Sequence, residues 1–500
     1  MRLGRKSGRL KLKSRPWSLS STFYWHDYET FGTDPSRDRA VQFAGLRTDS
    51  DLNVIGEPLV IFSKPANDVL PHPQACLVTG ITPQKALQEG VPESEFIARI
   101  LEELGRPGTC GVGYNSLRFD DEVTRYTLYR NFHDAYAREW QNGNSRWDII
   151  DMVRAANALR PDGIVWPKRE DGLPSFRLEQ LTEANGISHE AAHDALSDVH
   201  ATIAVARLIK EKQPRLFDYL INHRDKRSAM DQLDIGAMKP VLHVSGMFGA
   251  ANHNIALIVP LALHPSNKNE VICFDLSCNP SSLLDLSPGE ISDLLYTPTA
   301  DLPEGQVRPG LKSVHINRCP VLVTAKMADP ATVERLGISG EACRAHLAAL
   351  REYRERDAHA FTRKVQQIYS GREFPSQNDP DRMLYSGGFF KDSDKRLMDQ
   401  IRQSSPQELA NQSFPFEDPR LTEMLFRYRA RNYPESLSAD ERAQWEDHRF
   451  AYLTEPEGGA SICLEEFHHV IDELLAGDTL SQDQQNILHQ LLEYSDTLLG

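Results

Sequence analysis

Five hundred residues at 40% hydrophobic and 25% charged composition describe an ordinary globular chain of about two to four domains. A formal net charge of −15 excludes a uniformly basic surface, so a nucleic-acid partner would need cations segregated into a channel on an acidic body. No apolar run is long enough to span a bilayer, and seven scattered cysteines, an odd number, point to reduced thiols in a cytoplasmic protein.

The chain opens on Arg2, Arg5, Lys6, Arg9, Lys11, Lys13 and Arg15 with no acid and no following apolar segment. Residues 1–21 are therefore expected to form a disordered basic arm, not a secretory signal. Phe23 to Thr30 then reads as a buried strand. Strand side chains alternate, which puts Asp27 and Glu29 on one face. Two desolvated carboxylates side by side repel each other and call for a hard divalent cation such as Mg²⁺.

The segment Thr79 to Pro83 carries a turn signal in Gly80 and Pro83. Gly113 to Glu122 leads into a helical pattern whose first turn holds both Asp120 and Asp121, and spacing alone leaves open which of them is functional. From Arg125 to Trp147 basic and aromatic residues interleave, as in single-strand binders that combine phosphate contacts with base stacking. About half of them belong to a helix core, because one helix cannot turn every side to a ligand.

Ala192-His193-Asp194-Ala195-Leu196-Ser197-Asp198 precedes a helical run. His193 and Asp198 do not share one helical face, but they can meet over a cavity if the histidine lies in the loop and the acid in the first turns. After residue 214 short β-rich runs appear at Pro240–Val244, Ile255–Val259, Val271–Phe274 and Val314–Thr324. After about residue 365 helical patterns dominate, with an S-x-x-E capping box at Ser438 and Glu441 and leucines at helical spacing from Gln482 to Leu499.

The blocks holding Asp27, Glu29, Asp120, His193 and Asp198 resemble the D-E-D-D-h exonuclease superfamily. With His26–Gly32, Gly113–Arg125, Leu173–Glu179 and Val244–Gly249, the chain is most similar to the bacterial exonuclease I family. The resemblance implies an α/β (α+β) chain in three parts. These are an RNase-H-like exonuclease domain over 22–213, a Src-homology-3-like β-rich domain over 214–364 and a helical C-terminal domain over 365–500.

It further implies processive, two-metal hydrolysis of single-stranded DNA from the 3′ end to 5′-mononucleotides, in DNA repair and recombination. Asp27, Glu29, Asp198 and Asp120 would hold two Mg²⁺ ions, with Mn²⁺ an alternative, and Asp120 rather than Asp121 would be the ligand. His193 would act as general base, a task suited to a pKa near ~6.5. Glu29, Arg177, Arg125, Tyr136, Trp140 and Arg154 match substrate-contacting positions. Lys312, His315, Asn317 and Arg318 are further channel candidates.

The implied protein is a nucleoid-associated monomer that also docks the acidic tail of single-strand DNA-binding protein. Arg-rich stretches such as Phe426–Arg431 are candidate pockets for that tail. An RNA-trimming exonuclease and a catalytically idle single-strand-binding scaffold are the competing readings.

Overall fold

Alternation of apolar side chains dictates two sheets, and both form. The structure is a computed structural model that describes residues 21–189, 193–371, 377–477 and 480–499, so the basic arm lies outside the described residues. Strands β1 (Thr22–Thr30), β2 (Ala40–Thr48), β3 (Leu59–Phe62), β4 (Thr109–Gly113) and β5 (Ser145–Asp148) make a mixed sheet in the order β3-β2-β1-β4-β5. β1 is the central strand, antiparallel to β2 and parallel to β4. Strands β6 (Val241–Val244), β7 (Ile255–Leu263), β8 (Glu270–Asp275), β9 (Leu311–His315) and β10 (Val321–Thr324) form a second sheet, antiparallel throughout, in the order β10-β6-β7-β8-β9.

The second sheet is buried on both faces, and the period of two is visible in what each residue touches. Ile258, Val271 and Cys273 join one apolar cluster, while Val259, Ile272 and Phe274 join another with Leu350, Phe361 and Val365. The chain divides into two compact units. One gathers the described residues within 21–149, 177–207 and 374–500, and the other those within 150–176 and 208–373.

In the first unit the C-terminal helices complete cores that the strands of the first sheet and the segments after them begin. Phe31, Val41, Leu70, Cys76 and Ile81 share a cluster with Leu453, Phe467, Ile471, Leu488 and Leu491. The capping box at Ser438 and Glu441 forms as expected and opens the Ala439–Thr454 helix.

The Phe426–Arg431 run is not a basic pocket. Arg427 pairs with Asp379, Asp381 and Glu423, Arg429 with Glu441, and Arg431 with Asp68 and Asp381, Arg427 and Arg429 being buried and Arg431 half-buried. A run of like charges in sequence looks available because three of its acids, Asp68, Asp379 and Asp381, lie 46 or more residues away along the chain. The cysteines Cys76, Cys110, Cys273, Cys278, Cys319, Cys343 and Cys463 are all free thiols. Among the described residues no helix is long and apolar enough to cross a membrane.

Candidate active site

The site grows from a mismatch in strand length. β1 pairs with β4 only from Thr22 to Trp25, whereas its pairing with β2 continues to Thr30. Past Trp25 the β4 side of β1 is open, and the Tyr28 backbone N–H donates to Asp120 Oδ1 at 3.1 Å. A buried N–H needs such a partner. The loop that delivers Asp120 is pinned by Asp148, whose carboxylate accepts from the Asn115 and Leu117 amides at 2.8 and 3.2 Å. Gly113 permits the fold-back: a Cβ there would lie 2.6 Å from Ser116 Cβ and 3.2 Å from the His26 carbonyl oxygen.

Asp198 arrives from the other side. Asp194 precedes the Ala195–Lys212 helix and accepts from the Ser197 amide and from Gln42 Nε2, each at 3.2 Å. Gln42 is the cross-strand partner of Glu29, so this clamp sets the helix beside β1. Asp27, Glu29 and Asp198 then each offer a carboxylate oxygen, all within 4.8 Å of one another. An all-oxygen set suits Mg²⁺ or another hard divalent cation.

The electrostatics fit a cation as well. Burial pushes the Asp27 carboxyl well up, reinforced by Asp120, Glu29 and Asp198. Glu29 is pushed up to about 8 by burial and by Asp198 and Asp120, and Asp120 to about 8 chiefly by burial. Burial also raises Asp198, against the opposing pull of His189 and His193. These acids repel one another and lack enough neighbouring positive charge, which is the deficit a bound divalent ion removes.

The adjacent acid has another fate. Asp121 lies against Arg138 at 2.5 Å and Arg146 at 3.1 Å, and those guanidiniums hold its carboxyl below the usual range despite its burial. Geometry therefore separates two neighbours that spacing could not.

A pH dependence follows. Glu29 and Asp120 stay protonated in the metal-free fold up to about 8, but ionise near ~4 when unfolded. Between those values the folded state binds more protons, so unfolding free energy falls as pH rises. The chelated protein is expected to lose melting temperature from about pH 5 to about pH 8, with a widening gap to a Mg²⁺-saturated sample. Differential scanning fluorimetry in EDTA and in Mg²⁺ reads this directly; parallel curves would contradict it.

Of the other residues singled out in sequence, His193 stays at the site, its backbone amide donating to the Asp198 carboxylate, and the rest are dispersed. His193 is exposed, with a left-handed backbone at φ 67°. The histidine whose ring meets Asp198 is instead His189, with Nε2 2.5 Å from Oδ1. Sequence reasoning missed it; the only available signal was a second histidine four residues before His193.

Arg177 is exposed at the N-cap of the Leu178–Ala184 helix. Trp140 is 65% exposed and Tyr136 half-buried. Arg125 is buried instead, bonded to Glu122, Glu139 and the Tyr385 hydroxyl, with its guanidinium 5.4 Å from the Tyr136 ring centroid. Tyr129, Arg130, Phe132, Arg138, Arg146 and Trp147 are buried too, so most of the interleaved stretch is core and internal ion pairing.

Arg154 belongs to the other unit, its Nη1 2.7 Å from Asp151 Oδ1. Its guanidinium lies over Gly246, where a Cβ would come within 3.0–3.1 Å of it. Lys312 and His315 sit on β9, with Lys312 Nζ 3.1 Å from Ser245 Oγ. Gly80 takes a left-handed φ of 69° to end one helix, and Thr82 caps the next through the Lys85 amide at 3.3 Å.

Three family models match the chain in succession: Exonuclease over residues 24–206, the Exonuclease I SH3-like domain over 224–371 and the Exonuclease I C-terminal domain over 378–498. Exodeoxyribonuclease I of Escherichia coli K12 is 50% identical over 435 residues, which is 87% of this chain and 90% of the relative. The chain belongs to the exodeoxyribonuclease I family.

Membership carries the fold with it: an exonuclease domain, an SH3-like domain and a C-terminal domain, in that order. Exonuclease I from Methylocaldum szegediense matches with a TM-score of 0.91 at 50% identity, covering 96% of this chain and 100% of that one. The zinc-ion-bound complex of E. coli exonuclease I with single-stranded DNA matches with a TM-score of 0.90 at 46% identity, with the same coverage. Exodeoxyribonuclease I is a hydrolase, and this chain is a DNA exonuclease of that family.

Proposed function

We propose that the chain is a Mg²⁺-dependent 3′→5′ exonuclease that processively degrades single-stranded DNA to 5′-mononucleotides, in DNA repair and recombination. The observation that carries this reading is the trio Asp27, Glu29 and Asp198, three carboxylates within 4.8 Å on a buried strand and a helix start. The E. coli enzyme's capture of single-stranded DNA together with a metal ion supports it.

When bound, two divalent ions supply stabilisation of the attacking and leaving oxygens and lower the pKa of bound water. Asp27, Glu29 and Asp198 would hold them, with Asp120 as a further ligand. His193, exposed on its left-handed turn with its backbone against Asp198, accepts the proton of the attacking water. Arg177 meets the terminal nucleotide. Trp140 and Tyr136 stack bases, Arg125 fixes the Tyr136 ring from beneath, and Arg154 binds backbone phosphate further along the strand.

A strand held at several points rebinds intramolecularly after each cut, which accounts for processivity. The protein works as a monomer in the cytoplasm, at the nucleoid, and docks the acidic tail of single-strand DNA-binding protein.

The deciding experiment incubates 3′- and 5′-labelled single strands with Mg²⁺ or EDTA, beside a duplex and an RNA of the same sequence. Mononucleotide release from the 3′ end of single-stranded DNA in Mg²⁺ alone is expected. Tight binding without cleavage in any divalent ion would leave a scaffold, and preferred loss of RNA would make it an RNA trimmer.

Trp140→Ala is expected to weaken single-strand affinity by ~1–3 kcal/mol, the value of one stacked base, while leaving cleavage of a bound strand intact. Fluorescence anisotropy in EDTA and single-turnover kinetics separate the two quantities.

A further inference from the structure

His189 makes two contacts, one at each ring nitrogen. Its Nε2 lies 2.5 Å from Asp198 Oδ1, and its Nδ1 lies 3.2 Å from Thr182 Oγ1. The Thr182 hydroxyl is itself within 3.0 and 2.9 Å of the Leu178 and Glu179 carbonyls. A hydroxyl has one proton, and carbonyls can only accept, so the Thr182 oxygen is left to accept from the imidazole. The ring is thereby gripped from both ends, with the His189 side chain 5% exposed.

The backbone leading to it is equally constrained. The Asn185 and Ile187 amides both donate to the Thr182 carbonyl at 3.1 and 2.9 Å, and Gly186 turns at a left-handed φ of 65°. The Leu178–Ala184 helix that carries Thr182 has Arg177 at its N-cap. A chain of direct contacts thus runs from the Asp198 carboxylate through His189 and Thr182 to the helix that presents Arg177.

We propose that His189 is a positioning residue: it holds one oxygen of Asp198 so that the other faces Asp27 and Glu29, and it locks that carboxylate to the helix bearing Arg177. This rests on the reading of Asp198 as a metal ligand. Partners of ligating groups fix their orientation, and their loss typically weakens metal binding by about 10–100-fold. His189 does not touch the reacting atoms, and both its nitrogens are engaged, which leaves the general-base role to His193.

The test measures Mn²⁺ binding to the full-length protein without DNA, by calorimetry, beside single-strand affinity in EDTA and steady-state kinetics in Mg²⁺. His189→Ala is expected to weaken Mn²⁺ by about tenfold or more and to lower kcat, with DNA affinity in EDTA unchanged. His189→Gln restores a donor toward Asp198 and should recover much of the loss. Thr182→Val removes only the hydroxyl, keeps the side-chain shape, and should fall in between.

Wild-type Mn²⁺ affinity in His189→Ala overturns the proposal, as does a Gln variant no better than Ala. If His189→Ala fails to fold, Thr182→Val decides, since unchanged Mn²⁺ affinity there breaks the chain of contacts. Asp198→Ala serves as the reference: if it too leaves Mn²⁺ binding intact, the metal-site reading fails and takes this proposal with it.

Discussion

Asp198→Ala is expected to lower kcat on single-stranded DNA by about a thousandfold or more, with the protein still folded and still able to bind DNA in EDTA. Three carboxylates lie within 4.8 Å of one another, the group proposed to hold the ions, and the variant removes one of them. Ions in such sites contribute several kcal/mol of transition-state stabilisation, and about 4 kcal/mol corresponds to three decades of rate. Folding is not expected to suffer, because burial already disfavours the charged form of this group. Deleting it relieves repulsion on Asp27 and Glu29 but leaves the buried His189 Nε2 without its partner, so the two effects offset and the chelated variant should melt near the parent. Quench-flow single-turnover rates, circular dichroism and anisotropy together test this. A variant within tenfold of the parent rate would remove Asp198 from the ion-holding group.

Asp121→Ala should do the opposite, damaging the fold far more than the chemistry. Asp121 is 1% exposed and carries a charge shared between Arg138 and Arg146, both buried. Arg146 also meets Glu139 at 3.2 Å, and Glu139 meets Arg125, so the pair belongs to a connected set of internal ions. Removing one partner of a buried ion pair costs about 3–5 kcal/mol, because the remaining charge stays desolvated and uncompensated. Two guanidiniums would then face each other across the gap.

Thermal unfolding of the first unit should shift down sharply in Asp121→Ala, while Asp121→Asn keeps an acceptor oxygen for one of the two guanidiniums and loses less. At a temperature where the variant is folded, its cleavage rate per active molecule should stay near that of the parent. An unchanged melting temperature would mean that the ion pairs contribute nothing net. A folded but inactive variant would bring Asp121 into the chemistry.

This contrast shows how far the sequence can be read. Period two along Phe23–Thr30 puts Asp27 and Glu29 on one face, and the structure keeps them there beside Asp198. Asp120 and Asp121 share a first helical turn, and local rules treat them alike. What distinguishes them is the pair Arg138 and Arg146, 17 and 25 residues further on. The arginines at 427, 429 and 431 were illegible for the same reason, one of their acids, Asp68, lying 363 residues away from Arg431. His189 stands in an aperiodic loop, where no spacing rule predicts a neighbour. Periodicity reports the face of an element; pairing between distant elements is left to the fold.

The shared core of the first unit has a consequence in time. Phe31, Val41, Leu70 and Ile81 are made early by the ribosome, yet their partners Leu453, Phe467, Leu488 and Leu491 emerge only after the intervening unit has been translated. Between Arg207 and the starts of those helices lie about 230 to 275 residues, roughly 12–55 s of synthesis at about 5–20 residues per second. For that interval the nascent nuclease half displays a greasy face with nothing to cover it. Such a chain is a natural client for holding chaperones at the exit tunnel. A stop codon that trimmed the last helices would yield an aggregate in place of a smaller nuclease.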